Sequence, residues 1–394
     1  MANKGRISPD EQLLGEIFPN MKKKPLASKV LVQTFETCTF VAHVDDSEEL
    51  LIRLESSGSR LPAVLALQRL AALVIPELVP KTLQTGKAKT KDGIELQYCV
   101  TEFLGNTVVL ESVWDHLDDE QQLTIMDSVI RAMRKLQTLG LNDLSVRSIL
   151  KEMEYVSKDA WLGGPHLGYF TDTASFLNGY LTAAHPKQPT ATVEDDETGD
   201  GIIIKSTYQD LSSVHIPQEE LESLKRQAVF CHNDLEPRNL LVRKYDSADG
   251  KLHYELAAII DWELAGFYPL GYEYCLKDSL LGSSNLSYSW YALFKQRAVH
   301  QLELNRLPLC QLLLMQAVDI IHESRRRNMT RNFGVLARMK FIEREQLMRG
   351  PSIYHGWIRK PDAQDVRKHT SEDNKKLEED VLSELGYINL IIST

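Results

Sequence analysis

The spacing of apolar residues changes along the chain, and each change predicts an element. From Val30 to Val44 β-branched and aromatic residues are dense, Asp45-Asp46-Ser47 reads as a turn, and Leu50 to Leu54 reads as a return strand. Pro62 opens a helix running to about Val74, and Pro76 and Pro80 mark its exit. A further strand covers Ile94 to Glu102 and ends near Gly105. With an early strand near Lys29, the order is three strands, a helix and two strands. That suits a small sheet carrying one helix.

Beyond Gly105 helical spacing takes over. Asp118 or Asp119 caps a helix continuing to Leu139, in which Ile125, Val129, Met133 and Leu136 recur on one face, widened by Met126 and Ile130. The stripe reads as core, with a partner-binding surface as the alternative. A second helix spans about Asp172 to Ala184. Pro186 to Gly201 is rich in Pro, Thr, Gly, Asp and Glu and reads as a solvated acidic insertion, an acidic binding loop being the other possibility. Leu240 to Val242 and Leu256 to Ile260 are two short strands around a polar turn at Lys244 to Gly250. Helical patterns continue to about Met348. Within them the run Arg325-Arg326-Arg327 reads as a solvated helix face or interlobe salt bridges, or else as a phosphate or acidic-partner patch. In the charged tail Leu382, Leu385, Ile388 and Leu390 form a docking segment.

Composition narrows this picture. The chain has 394 residues, 43% of them hydrophobic, enough for two folding units or one two-lobed enzyme. A formal charge of -10 argues against a sequence-independent nucleic-acid binder and leaves room for a cationic substrate. Cys38, Cys99, Cys231, Cys275 and Cys310 are widely spread and odd in number, as in a reduced, cytoplasmic protein. No apolar run is long enough to insert in a bilayer, and the N-terminus lacks the apolar core of a signal peptide.

Two segments carry chemistry. The first is Val229-Phe230-Cys231-His232-Asn233-Asp234-Leu235-Glu236-Pro237-Arg238-Asn239-Leu240-Leu241-Val242, a polar loop running straight into a strand. Asp234 can orient or deprotonate an attacking hydroxyl, and Asn239 can offer its amide oxygen to Mg²⁺. The second is Ala258-Ile259-Ile260-Asp261-Trp262-Glu263, where Asp261 leaves an apolar strand and can hold a metal that bridges nucleotide phosphates. Phosphoryl transfer needs in-line placement and a hard cation held by oxygen ligands more than covalent chemistry, and this set supplies both.

With its His-Asn-Asp and Asp-Trp-Glu loops, the chain resembles the aminoglycoside phosphotransferase-like family of the protein-kinase-like superfamily, especially its fungal-type members. The resemblance spans about Val30 to Met348 and is strongest over 229–273. It implies an α+β, two-lobed fold with a small antiparallel-sheet N-lobe and a larger, mainly helical C-lobe. It also implies ATP and Mg²⁺ as cofactors and a small-molecule hydroxyl, possibly cationic, as acceptor. Asp234 then sits at the base position, Asn239 and Asp261 at the metal positions, and His232 braces the loop. Arg53 falls where a basic residue meets the nucleotide phosphates, and Thr101, Glu102 and Phe103 fall at the adenine-contacting hinge. Arg238 binds phosphate or pairs with Glu236.

The expected division is a lead-in over 1–27, an N-lobe over 28–105, a C-lobe over 106–350 with the insertion near 186–201, and an extension over 351–394. Two departures stand out. The turn Phe35-Glu36-Thr37-Cys38-Thr39-Phe40 holds no glycine, and the helix after Arg53 offers no glutamate to pair it, so Glu55 or Glu77 would have to serve. These departures support an alternative, a catalytically weak or inactive kinase-like binding protein. A choline/ethanolamine-like kinase is a further reading on the shared His-Asn-Asp loop.

Overall fold

The computed structural model describes residues 6–20, 26–45, 48–152, 161–184, 189–246, 252–329, 331–364, 367 and 369–387. The chain forms two compact units, one of Met1–Val109 with Leu240–Trp262, the other of Leu110–Asn239 with Glu263–Thr394. Residues 240–262 therefore leave the second unit and return to the first, an excursion the linear division above does not contain.

The first unit opens with helix α1 (Glu11–Ile17), whose cap is the Asp10 carboxylate accepting the Leu13 amide at 2.8 Å. Strands β1 (Leu26–Gln33), β2 (Thr37–Asp45) and β3 (Glu48–Ser56) follow, then helix α2 (Leu61–Ala72), then β4 (Thr82–Lys89), β5 (Glu95–Glu102) and β6 (Thr107–Val109). The first five strands form one antiparallel sheet in the order β1-β2-β3-β5-β4. Alternation places Phe40, Ala42 and Val44, Leu50, Ile52 and Leu54, and Leu96, Tyr98 and Val100 in one buried cluster with Leu13, Leu14 and Ile17 of α1. The expected succession of three strands, a helix and two strands is present.

The second unit is mainly helical. Helix α3 (Asp119–Leu136) is capped by Asp118 and buries the expected stripe of Ile125, Val129, Met133 and Leu136. After it come α4 (Leu144–Lys151), β7 (Leu162–Gly164), β8 (Gly168–Phe170), α5 (Thr173–Ala184), β9 (Ala191–Asp195), β10 (Ile202–Ser206), β11 (Val214–Ile216), α6 (Gln218–Arg226) and β12 (Ala228–Cys231). Within the described residues 189–201 of the acidic insertion, β9 and the turn after it form the first half of a hairpin completed by β10, and Glu194, Asp195 and Glu197 are exposed. β9 and β10 pair in register, Ile202 and Ile204 are buried, and Glu194 pairs with Lys205 at 2.5 Å.

The chain then crosses to the first unit for β13 (Leu240–Asp246) and β14 (Leu252–Ile259), which pair with each other and, through β13, with β6. Back in the second unit are β15 (Gly266–Pro269), α7 (Leu270–Leu280), α8 (Tyr288–Gln301), α9 (Leu309–Asn328), α10 (Phe333–Arg344), β16 (Leu347–Arg349), β17 (Trp357–Arg359) and α11 (Ser371–Glu384). Helix α9 packs against α7. The tail docks through α11, whose Leu377 and Val381 join Ala337 and Phe341 in one cluster with Leu385 packed against it. The expected turn residues at 46–47 and 247–250, with Ile388 and Leu390, lie outside the described residues. Among the described residues all five cysteines are free and buried, and no helix is long and apolar enough to cross a membrane.

Candidate active site

The His-Asn-Asp loop begins where β12 ends, and α7 grips it at two points one turn apart. Glu273 accepts the backbone N–H groups of His232 and Asn233 on one carboxylate oxygen, at 2.9 and 2.8 Å. Lys277 Nζ donates to the Leu235 carbonyl and pairs with Glu236 Oε1 at 2.7 Å. Four residues apart, the two side chains project from the same face of the helix. Both ends of the grip are buried, Lys277 and Glu236 having side chains only 2% and 1% exposed. Asn285 Nδ2 completes the set by donating to Glu236 Oε2 at 2.7 Å. Burial pushes the carboxyls of Glu273 and Glu236 above the usual glutamate range, and for Glu236 the Lys277 ammonium works against that rise.

Between these anchors the loop is tightly set. Asn233 has φ 66°, the left-handed region that Asn tolerates better than most residues. Its Nδ2 donates to the Leu264 carbonyl at 2.8 Å, while its Oδ1 is buried with no hydrogen-bond partner among the described residues. His232 is fully buried and its Nδ1 accepts the Asp234 amide at 3.2 Å, so the ring serves as a brace. Arg238 Nη2 lies 2.6 Å from Asp234 Oδ1 and 2.8 Å from Oδ2, and its Nη1 donates to the Ser284 carbonyl at 2.6 Å. The ion pair of Arg238 is therefore with Asp234, because Lys277 already holds Glu236. Asn239 Nδ2 donates to the Asp234 carbonyl at 2.9 Å. That bond commits the amide nitrogen and leaves the amide oxygen, a hard donor of the kind Mg²⁺ takes.

Arg53, Thr101, Glu102, Phe103 and Asp261 belong to the first unit. Asp261 follows β14 with φ 64°, so both chemistry-bearing segments contain a non-glycine residue in the left-handed region. Trp262, next to it, is buried and donates Nε1 to the Ile259 carbonyl at 3.2 Å. Arg53 on β3 pairs at 2.6 Å with Glu55, two residues along the same face. Glu102 ends β5 tied to Lys81: its amide donates to the Lys81 carbonyl at 3.1 Å and its Oε1 accepts the Lys81 amide at 2.8 Å. Phe103 follows the strand. In the glycine-free turn, Thr34 Oγ1 accepts the amides of Glu36 at 3.1 Å and Thr37 at 2.9 Å, so that turn uses its own N–H groups.

Inside the second unit a cavity of about 390 Å³ reaches the loop at Asn233 and Leu264. Tyr268 and Tyr272 stack in its wall at 4.8 Å, and Tyr180 meets Tyr272 edge-on at 5.3 Å. The resemblance is strongest up to residue 273, and sequence reasoning missed Lys277 just beyond it. The available signal was its position four residues after Glu273, on the same face of the helix.

Residues 35–276 match the model of a family described as the phosphotransferase enzyme family. The chain belongs to that family. No curated protein matches this phosphotransferase-family chain. Among solved structures it is similar to the apoenzyme of macrolide 2'-phosphotransferase MphH from Brachybacterium faecium, at 12% identity over 80% of this chain and 87% of that one, with a TM-score of 0.39. It is also similar to a type I macrolide 2'-phosphotransferase, at 12% identity over 82% and 91%, TM-score 0.39. A third is spectinomycin phosphotransferase APH(9)-Ia in complex with ADP and spectinomycin, at 13% identity over 80% and 96%, TM-score 0.29. At these identities and scores the likenesses carry nothing about the substrate of this family member.

Proposed function

We propose that this protein transfers the γ-phosphoryl group of ATP to a hydroxyl of a small molecule, with Mg²⁺ bound. The observation that carries the reading is the loop from His232 to Asn239. It presents a carboxylate, Asp234, beside an amide oxygen, Asn239, whose nitrogen is already tied to the Asp234 carbonyl at 2.9 Å. Asn239, with Asp261 assigned by the Asp-Trp-Glu stretch, would hold the metal, which when bound supplies charge stabilisation to the phosphate oxygens. Among the described residues no group of three His, Cys, Asp or Glu side chains makes a cage. That suits a cation held by few protein ligands and completed by phosphates.

The roles of the side chains follow. Asp234 accepts the hydrogen of the acceptor hydroxyl and aims its oxygen at the γ-phosphorus. The new O–P bond forms as the bond to the bridging oxygen of ADP breaks, and the proton passes to Asp234 and then to solvent. A loose transition state demands alignment above all, and Arg238 supports it by fixing both oxygens of Asp234. Arg53 would meet the nucleotide phosphates, and the backbone at Thr101 to Phe103 would meet the base.

A second reading draws on the β1–β2 turn. Its Glu36 and Thr37 amides are engaged by Thr34 and so are not free to cover phosphates, as in a nucleotide-binding protein with little turnover. ADP release with Mg·ATP against a broad panel of hydroxyl compounds separates the two. Acceptor-dependent turnover is expected, and Asp234→Asn is expected to lower kcat by about 10²–10⁴-fold. Undiminished turnover in that variant would sink the base assignment. Mg-dependent ATP binding without turnover on any acceptor would select the second reading.

A further inference from the structure

The cavity beside Asn233 carries an unusual charge. Arg325, Arg326 and Arg338 line it, and among the described lining residues there is no aspartate or glutamate. Arg326 is neutralised by Glu323, which it meets at 2.9 Å. Arg325 is not. Its Nε touches only Met329 Sδ, at 3.3 Å, and no carboxylate pairs with it among the described residues. Arg338 is 8% exposed, donates Nη1 to the Ser279 carbonyl at 2.9 Å, and leaves its Nε buried with no partner among the described residues.

The carboxylates nearest to Arg338 are already spent. Asp278 pairs with Lys295 at 2.7 Å and with Arg349 at 3.4 Å, and Glu323 is shared by Arg326 and Arg327. Arg327 in turn pairs with Asp210 at 2.6 Å, within the same unit. Burial, with Arg349 nearby, pulls the Arg338 guanidinium down to about 10, still charged at neutral pH. Two buried or half-buried arginines with no carboxylate ion pair among the described residues thus line the cavity, as does Asn233 with its orphaned Oδ1. An unpaired buried donor or acceptor is costly unless a ligand completes it.

We propose that the acceptor is an anionic hydroxylated small molecule, its carboxylate or phosphate held by Arg325 and Arg338 and one hydroxyl accepted by Asn233 Oδ1. Ser284 lines the cavity, its carbonyl accepts Arg238, and Arg238 holds Asp234, so the cavity wall is joined to the base through one side chain, and Asn233, next to Asp234 in the chain, lines the cavity itself. The inference rests on the phosphotransfer reading, and it runs against the room that net charge left for a cationic acceptor.

The test uses the full chain and two readouts. The first is ADP release with Mg·ATP on matched acceptors: gluconate and glucose 6-phosphate as anions, glucose as neutral parent, glucosamine as cation. The second is calorimetric binding of the same four compounds without nucleotide. Expected are tighter binding and higher kcat/KM for the anions, with Arg325→Gln weakening them by about 10- to 100-fold and leaving the KM for ATP unchanged. The two anions tell carboxylate from phosphate. Arg338→Lys keeps the charge and is expected to retain more binding than Arg338→Gln, which guards against loss through misfolding.

Preference for glucose or glucosamine, or anion binding indifferent to Arg325→Gln, overturns the proposal while turnover leaves phosphotransfer standing. Anion binding lost in Arg325→Gln, with no turnover on any compound, supports the anion site and counts against phosphotransfer. Absence of binding by both anions overturns it outright.

Discussion

Replacing Lys277 with methionine tests whether α7 holds the His232–Asn239 loop through a buried ion pair. The substitution keeps most of the unbranched side-chain length and removes the ammonium. Glu236, 1% exposed, would keep Asn285 as its side-chain hydrogen-bond partner among the described residues, and the Leu235 carbonyl would lose the Lys277 donor. Breaking one side of a buried pair costs about 3–5 kcal/mol, because the remaining charge stays out of water. For a domain of this size each kcal/mol is worth roughly 2–4 °C, so unfolding followed by circular dichroism should shift down by roughly 6–20 °C. The paired variant Glu236→Leu/Lys277→Met removes the stranded charge and is expected to recover much of the loss. The pH dependence has a definite sign. The Glu236 carboxyl lies above its ordinary value when folded, so the native state keeps a proton the unfolded chain has released, and stability falls as pH rises through that window. Without Lys277 the window widens, and the deficit should be larger at about pH 8 than at about pH 5. A single variant within about 1 kcal/mol of the parent, or a double variant as unstable as the summed singles, would refute the grip as described.

Two further outcomes follow from the packing. At Gly266 an added Cβ would sit 2.1 Å from the Gly163 carbonyl, a backbone atom that cannot swing aside. Gly266→Ala should cost about 1–3 kcal/mol or more, and an unchanged melting temperature would show that β15 and β7 have room to part. For Glu323, burial opposes ionisation, but Arg326 and Arg327 outweigh it and hold the carboxyl below its ordinary range. Its contribution is then present above the ordinary glutamate value and lost as pH falls. The urea midpoint should drop further in the parent than in Glu323→Gln between about pH 6 and about pH 3, and equal drops would remove the assignment.

What the sequence revealed tracks how local the cause is. Strand β3 was legible because Leu50, Ile52 and Leu54 alternate onto one buried face, and α3 because its stripe and Asp118 cap are contained in one segment. Strand β4 was not located. At the edge of its sheet it buries only Ala88 and carries Lys87 and Lys89, the composition of a protected edge rather than of a core strand. The hairpin of β9 and β10 was hidden by its acidic turn, although Ile202 and Ile204 supply its buried side. Strands β13 and β14 were visible, but their place in the first unit depends on pairing with β6, more than a hundred residues away in sequence, which no local pattern encodes.

The same distinction bears on the charge proposed for the acceptor. A net -10 is a property of the whole surface, and beyond about 8 Å such charges are screened at physiological salt. Two guanidiniums inside a cavity act at contact. A unit charge 5 Å from each would feel about 3 kcal/mol apiece at an effective dielectric of 20. The run Arg325-Arg326-Arg327 looked uniform in sequence, yet the fold gives its members different partners: Glu323 and Asp210 for Arg327, Glu323 for Arg326, and for Arg325 only a thioether among the described residues. Helix geometry explains the split, because three consecutive residues point about 100° apart and cannot share one environment. On the proposed reading, acceptor selection rests on which arginine has no carboxylate partner among the described residues, a matter of α9 and its neighbours that neither composition nor the motif loops contain.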